Sequence, residues 1–171
     1  MKGLCAIFAA LFAFGVGAAF AADEWGIEHE EVARIEATVV DILCELTGDC
    51  PAGCGAGKRQ LGLLQDDGTL LLAAKNFDAF AGAANDLISF CGKRIVADGL
   101  LIRDPAMPLF ALQFKRLAPD GEWSRANWFS KDWGERYGAD KASEWFRHDP
   151  AVKGVIAKDG VFGIPGLKPE E

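Results

Sequence analysis

Histidine is scarce in this chain, two among 171 residues, and basic side chains are outnumbered, 18 Lys and Arg against 25 Asp and Glu. The acid excess repels phosphate backbones and anionic lipid, which sets nucleic acid and a membrane surface aside as partners. Several signatures are missing. There is no Cys-x-x-Cys, haem-attachment motif, P-loop, dinucleotide fingerprint or nucleophile elbow. No period longer than one structural element repeats, which excludes a solenoid or a duplicated domain. The two histidines offer little chemistry. His29 lies in Glu28-His29-Glu30-Glu31, a possible cation ligand set that reads more simply as an exposed charged segment. His148 adjoins Asp149, with no Ser or Cys nucleophile beside it in sequence.

What is present begins with the N-terminus. Met1-Lys2 leads into an apolar run from Leu4 to Phe20, and Ala19-Phe20-Ala21 has the small-x-small form of a cleavage site. Residues 1–21 are therefore expected to be a signal peptide, although the run is near bilayer-spanning length. Cleavage removes one basic residue, leaving 17 against 25 acidic ones and a net charge of −8. It also removes Cys5. Four cysteines remain, Cys44, Cys50, Cys54 and Cys91, the even count a disulfide framework leaves in an exported chain. The expected location is periplasmic or secreted, with no membrane contact after cleavage.

Half the residues are hydrophobic, enough for one ordinary core. Residues 22–33 read as an acidic lead-in. From Arg34 an alternation through Ile35, Ala37 and Val39 predicts a long first strand, with a bulge or bend after Val39 and Cys44 at its end. A helical stripe over Ile35, Val39, Ile42 and Leu46 competes for the same residues. The Gly-rich loop from Thr47 to Lys58 follows. Gln60–Leu64 and Thr69–Ala74 flank an Asp67-Gly68 turn, a hairpin signal. Phe77 to Cys91 has helical spacing and stops at Gly92. Strands follow over Arg94–Ile102 and Leu109–Leu117.

Strand, strand, strand, helix, strand, strand is the plan of a five-stranded OB-like barrel, expected over residues 34–118. After Gly121 the composition shifts. Two amphipathic helices, about Ser124–Tyr137 and Ala139–Lys158 with a break at Asp149-Pro150, form a helical extension and tail over residues 119–171. Trp123, Trp128, Trp133 and Trp145 in this extension are candidates for a partner surface, and a periplasmic protein is the expected partner.

The barrel plan makes a geometric prediction. Its first strand runs antiparallel to its fourth, so Cys44, Cys50, Cys54 and Cys91 are expected on one rim. Three chemistries compete there. Two disulfides come first, pairing Cys44 with Cys91 closing the longer loop. A zinc or copper ion held by four thiolates comes second, with Cys-x5-Cys-x3-Cys looser than a zinc knuckle. A working dithiol such as Cys50 and Cys54 comes third. With no cofactor on the first reading, catalytic residues are not assigned.

Val39-Val40-Asp41, Cys44 and Leu46, Cys50 and Cys54, Leu61-Gly62-Leu63-Leu64, Asp67-Gly68, Cys91-Gly92-Lys93-Arg94 and Val96 together resemble a loose group of small secreted bacterial OB-fold-like proteins of uncharacterised function. The resemblance covers about residues 34–117 and implies a fold, not an activity. The chain departs from the group's pattern at three points. Glu45 stands where an aromatic commonly follows the first cysteine, the loop has no His, and Cys91 replaces a small residue. The missing His weakens a mixed metal site; the added Cys91 favours disulfide pairing of Cys44.

Overall fold

A computed structural model describes residues 22–26, 28–75, 82–164 and 166–167. The expected signal peptide, the first turn of the expected helix from Phe77, and part of the tail beyond Ile164 lie outside the described residues. The strands are β1 (Glu30–Asp41), β2 (Leu61–Leu64), β3 (Leu70–Ala74), β4 (Arg94–Ile102), β5 (Leu109–Leu117) and the two-residue β6 (Ser124–Arg125). They pair in the order β3-β2-β1-β4-β5-β6, and a parallel pairing of β3 with β5 closes the first five into a barrel. The helices are α1 (Ile42–Thr47), α2 (Gly82–Leu87), α3 (Trp128–Tyr137), α4 (Trp145–His148) and α5 (Pro150–Asp159), with short 3-10 turns between them.

The expected five-stranded plan with a helix between the third and fourth strands is the observed one. Alternation fixes which side chains fill the barrel. Ala37, Val39, Leu61, Leu63, Leu71, Ala73, Ile95, Ala97, Phe110 and Leu112 form its core, with Ala83, Ala84 and Leu87 of α2 closing one end. A second, smaller cluster lies outside the barrel wall. There Ala22 and Trp25 of the lead-in pack against Leu100, Ala111, Ile102 and Leu109, and the Gln113 side chain bonds both Asp23 N and Asp23 O.

Four local expectations are corrected. The first strand starts at Glu30 rather than Arg34, because β4 runs on to Ile102 and supplies a partner for each added residue. It ends at Asp41, so Cys44 sits in a helix. The Asp41 carboxylate accepts from Leu43 N at 2.9 Å and Cys44 N at 3.3 Å, a capping geometry that starts α1 at once. The irregularity falls between β4 and β5, where Gln113 of β5 is the extra residue between the Asp98–Phe114 and Gly99–Leu112 pairs, while β1 keeps one register along β4. A Cβ on Gly99 would come 2.2 Å from the Ala111 carbonyl oxygen, so only glycine permits the approach of the two strands. The first extension helix begins at Trp128, not Ser124. Ser124 and Arg125 instead pair with Lys115 and Phe114, and Ala126 N donates to Gln113 O at 2.8 Å. The second expected helix divides into a 3-10 turn, α4 and α5, with Asp149 capping α5 just before Pro150.

Candidate functional site

The ends of the barrel differ in chemistry. The end of β1, the start of β2, the start of β4 and the end of β5 share one rim with α2 beneath it. All four cysteines lie there, as expected, and their sulfurs are joined in two disulfides. The connectivity is Cys44–Cys50 and Cys54–Cys91, not the Cys44–Cys91 bridge. With Cys44 on a capped helix, its sulfur meets the loop that leaves that helix.

The Gly-rich loop carries the second bridge. Gly53, Cys54, Gly55 and Ala56 all have φ between 50° and 73°, a left-handed turn that alternating glycines make accessible. It drives Cys54 inward, where it is buried beside the α2 core and bonded to Cys91. Arg59 secures the loop from outside. Its guanidinium reaches Asp49 Oδ2 at 2.6 Å, Asp49 O at 2.8 Å and Asp41 Oδ2 at 3.4 Å, and these acceptors, Asp49 foremost, raise its pKa. A Cβ on Gly55 would lie 2.7 Å from Arg59 Cγ, so this glycine also makes room for the arginine.

A hollow of about 200 Å³ remains between Val40, Cys44, Pro51, Cys54 and Gly92. No described residue of the C-terminal extension lines it. Cys50 is exposed. In this pairing no sulfur is a thiolate, and among the described residues no three His, Cys, Asp or Glu side chains converge as a cation site.

The extension docks on α2 through a buried charge network. Asp86 accepts from Lys75 Nζ at 3.1 Å, Lys115 Nζ at 3.2 Å and Trp128 N at 3.2 Å. Lys115 also donates to Arg125 O at 3.0 Å. Burial lowers the Lys115 pKa, against the pull of Asp86. Sequence reasoning missed this cluster, whose members stand far apart in the chain. Helical periodicity puts Asp86 on the face opposite Ala84, Leu87 and Ile88 of the expected helix, so the sequence pattern carried no signal for it.

The four tryptophans have separate fates. Trp133 is buried, and its indole donates to Asp149 Oδ2 at 2.7 Å. Trp123 is held between Arg34 and Arg116, whose guanidinium carbons lie 4.8 Å and 4.7 Å from its ring centre. Trp145 packs edge-on against Phe129 and Phe146. Trp128 is exposed. The Asp149 carboxylate, occupied by Trp133 and by the amides of Ala151 and Val152, is not turned over to the adjacent His148. His29 is exposed, and of its acidic neighbours Glu30 binds the amides of Trp25 and Gly26 while Glu31 pairs with Arg103.

The opposite mouth is open. A slot of about 690 Å³ runs between the first half of β1, the β2–β3 hairpin tip and the β4–β5 loop. Its lining mixes apolar Val32, Ala33, Ile35, Leu71 and Leu101 with Glu31, Arg34, Asp67 and Arg103. Most of these charges are matched. Glu31 meets Arg103 at 2.9 Å, Arg34 meets Asp98, and Arg94 at the margin bridges Glu36 and Asp66. Among the described residues the lining holds no Cys, His or Ser. Its size suits a ligand, and polar and apolar residues share its lining equally. No family model matches the chain, and no match was found among curated proteins or solved structures.

Proposed function

We infer that this protein is an exported, non-enzymatic binding or assembly accessory of an oxidising compartment, periplasmic or secreted, that receives its ligand in the open mouth of the barrel. One observation carries the reading. The two barrel ends are built oppositely, one plugged by α2 and stapled by two disulfides, the other left as a slot of about 690 Å³. Disulfides of this kind persist where the surroundings are oxidising. The apolar N-terminal run with its Ala19-Phe20-Ala21 site supports export. The resemblance to small secreted OB-fold-like proteins points the same way for the fold and adds no activity.

A second reading has one observation in its favour. Cys50 is exposed and Cys44 half-buried, so an external thiolate has access to this bridge. On that reading the protein exchanges thiols with a partner, or its reduced cysteines take zinc or copper.

Fractionation of bacteria expressing the full chain, with alkylation before and after reduction, separates the readings. The expected product is an extracytoplasmic protein beginning near Ala22 in which none of the four cysteines reacts until reduced. Free thiols carrying stoichiometric metal overturn the first reading, as does a full-length product held in the membrane fraction. Rapid, selective turnover of Cys44–Cys50 by a small dithiol protein favours the second.

A further inference from the structure

The slot has a feature that identifies its ligand more closely. β1 has two main-chain edges. On one, Val39 N donates to Lys93 O at 3.0 Å and Arg103 N donates to His29 O at 3.1 Å, with an unbroken register between them. Odd-numbered residues of β1 therefore turn their N–H and C=O groups toward β4, and even-numbered residues turn theirs to the other edge. There Thr38 and Val40 meet β2, and Ile42 N donates to Gln60 O at 3.2 Å. β2 ends at Leu64, opposite Thr38. From Glu30 to Ala37 no described strand pairs with this second edge; Val32, whose main-chain groups turn to it, lines the slot, and Glu36 follows on the same edge.

Natural proteins blunt such edges with bulges, proline or short strands. This one is eight residues of regular strand, and Val32 on it is a 42% exposed hydrophobe. Ala33 and Ile35 point toward the barrel core, and with Leu71 and Leu101 they give the slot an apolar floor. The hairpin residues Gln65, Asp67 and Thr69 form the wall facing β1. A chain entering here is walled on both sides, whereas the edge of a second barrel brings its own sheet against that hairpin. Charge selects further. Asp67 is the lining charge with no ion-pair partner among the described residues, and the Thr69 amide at 2.9 Å keeps its carboxyl below the usual range, so it is anionic.

We propose that the slot takes an extended segment of a partner polypeptide as an added strand on β1, with alternate apolar side chains on the slot floor and a cationic side chain near Asp67. This rests on the reading of the mouth as the ligand site. Main-chain bonding supplies the affinity of strand addition, and the floor and Asp67 supply its selectivity.

The test uses the oxidised protein labelled with nitrogen-15 and carbon-13 and a panel of acetylated, amidated hexapeptides alternating valine with threonine or lysine, the lysine moved along the set. A matching set carries N-methyl groups that remove the bonding amides while keeping every side chain. The expected result is that saturating peptide slows amide exchange of Val32 and Glu36 at least about tenfold and leaves Ala33 and Ile35 unchanged, as edge pairing requires. N-methylated peptides give no protection. Val32→Pro, which removes an outward donor without breaking a bond to β4, abolishes binding while the thermal transition is retained. Asp67→Asn weakens the lysine peptides up to about fivefold and reduces their salt dependence. No binding by any member at millimolar concentration overturns the proposal, as does equal protection by the N-methylated set. Protection of Val32 and Glu36 that appears without peptide and rises with protein concentration overturns it in favour of a second copy. Peptide-induced shifts at the Leu71 and Leu101 methyls without amide protection at Val32 overturn strand addition and leave the mouth standing as a binding site.

Discussion

Cys54 is bonded to Cys91 across 37 positions of sequence, and the pair packs on the barrel core beside Leu87, Ile88 and Phe90. The bridge ties the loop after β1 to the residue just before β4, so it restrains both the left-handed turn and the crossover that carries α2. The Cys44–Cys50 bridge closes only six positions and lies at the surface.

The two bridges are accordingly expected to differ in worth. Chain entropy alone gives about 2 kcal/mol for the short loop and about 4 kcal/mol for the long one. Replacing Cys54 and Cys91 together by alanine is expected to lower the unfolding free energy by about 2 kcal/mol more than replacing Cys44 and Cys50. Urea unfolding of the two double variants checks this. Equal losses, or the larger loss on the short loop, contradict the assignment of Cys54–Cys91 as the bridge that holds the barrel end.

Asp86 is the hub between barrel, crossover helix and extension, and its loss is expected to be severe. It is buried and faces Lys75, Lys115 and the first amide of α3, so Asp86→Ala takes the counter-ion from the buried Lys115 and a carboxylate from Lys75. Removing one partner of such a network costs about 3–5 kcal/mol. Adding Lys115→Met to Asp86→Ala is expected to restore part of the loss, since it removes a buried charge that no longer has its counter-ion. Chemical denaturation of the single and double variants measures the coupling. Strict additivity would show that Asp86 and Lys115 act independently.

The strands were legible because their cues are local. Arg94–Ile102 and Leu109–Leu117 alternate cleanly, and Asp67-Gly68 marks the hairpin turn. From the element order alone, the barrel plan and the gathering of four cysteines on one rim followed. The partners of those cysteines did not, because α1 places Cys44 on the outer side of the rim, and that depends on Asp41 acting as a cap rather than as the next strand residue. The same limit hid the slot. Glu30 and Glu31 look like a solvated lead-in, and they become strand because β4 is long enough to pair with them while β2 is too short. The Asp86 network joins residues from α2, β5 and the flanks of β3 and α3, which no spacing rule links.

The docking of α5 on α3 is expected to depend on pH through Asp149. Its carboxylate accepts from Trp133 Nε1 at 2.7 Å, and also from Ala151 N and Val152 N. These donors, the indole first, favour the ionised form and hold the Asp149 pKa below its ordinary value. A carboxyl lowered in the folded state contributes stability above its unfolded pKa, about 3.9, and that stability is lost as pH falls through the folded value. Neutral and mildly acidic solutions should leave the contact intact, and the emission of Trp133 should change below about pH 4. Asp149→Asn keeps a side chain able to cap the helix but removes the ionisation. Its emission should therefore lose the acid step present in the parent protein, with both proteins compared below their neutral-pH plateaus. Superimposable acid profiles for the two would show that Asp149 does not couple this helix to the rest of the extension.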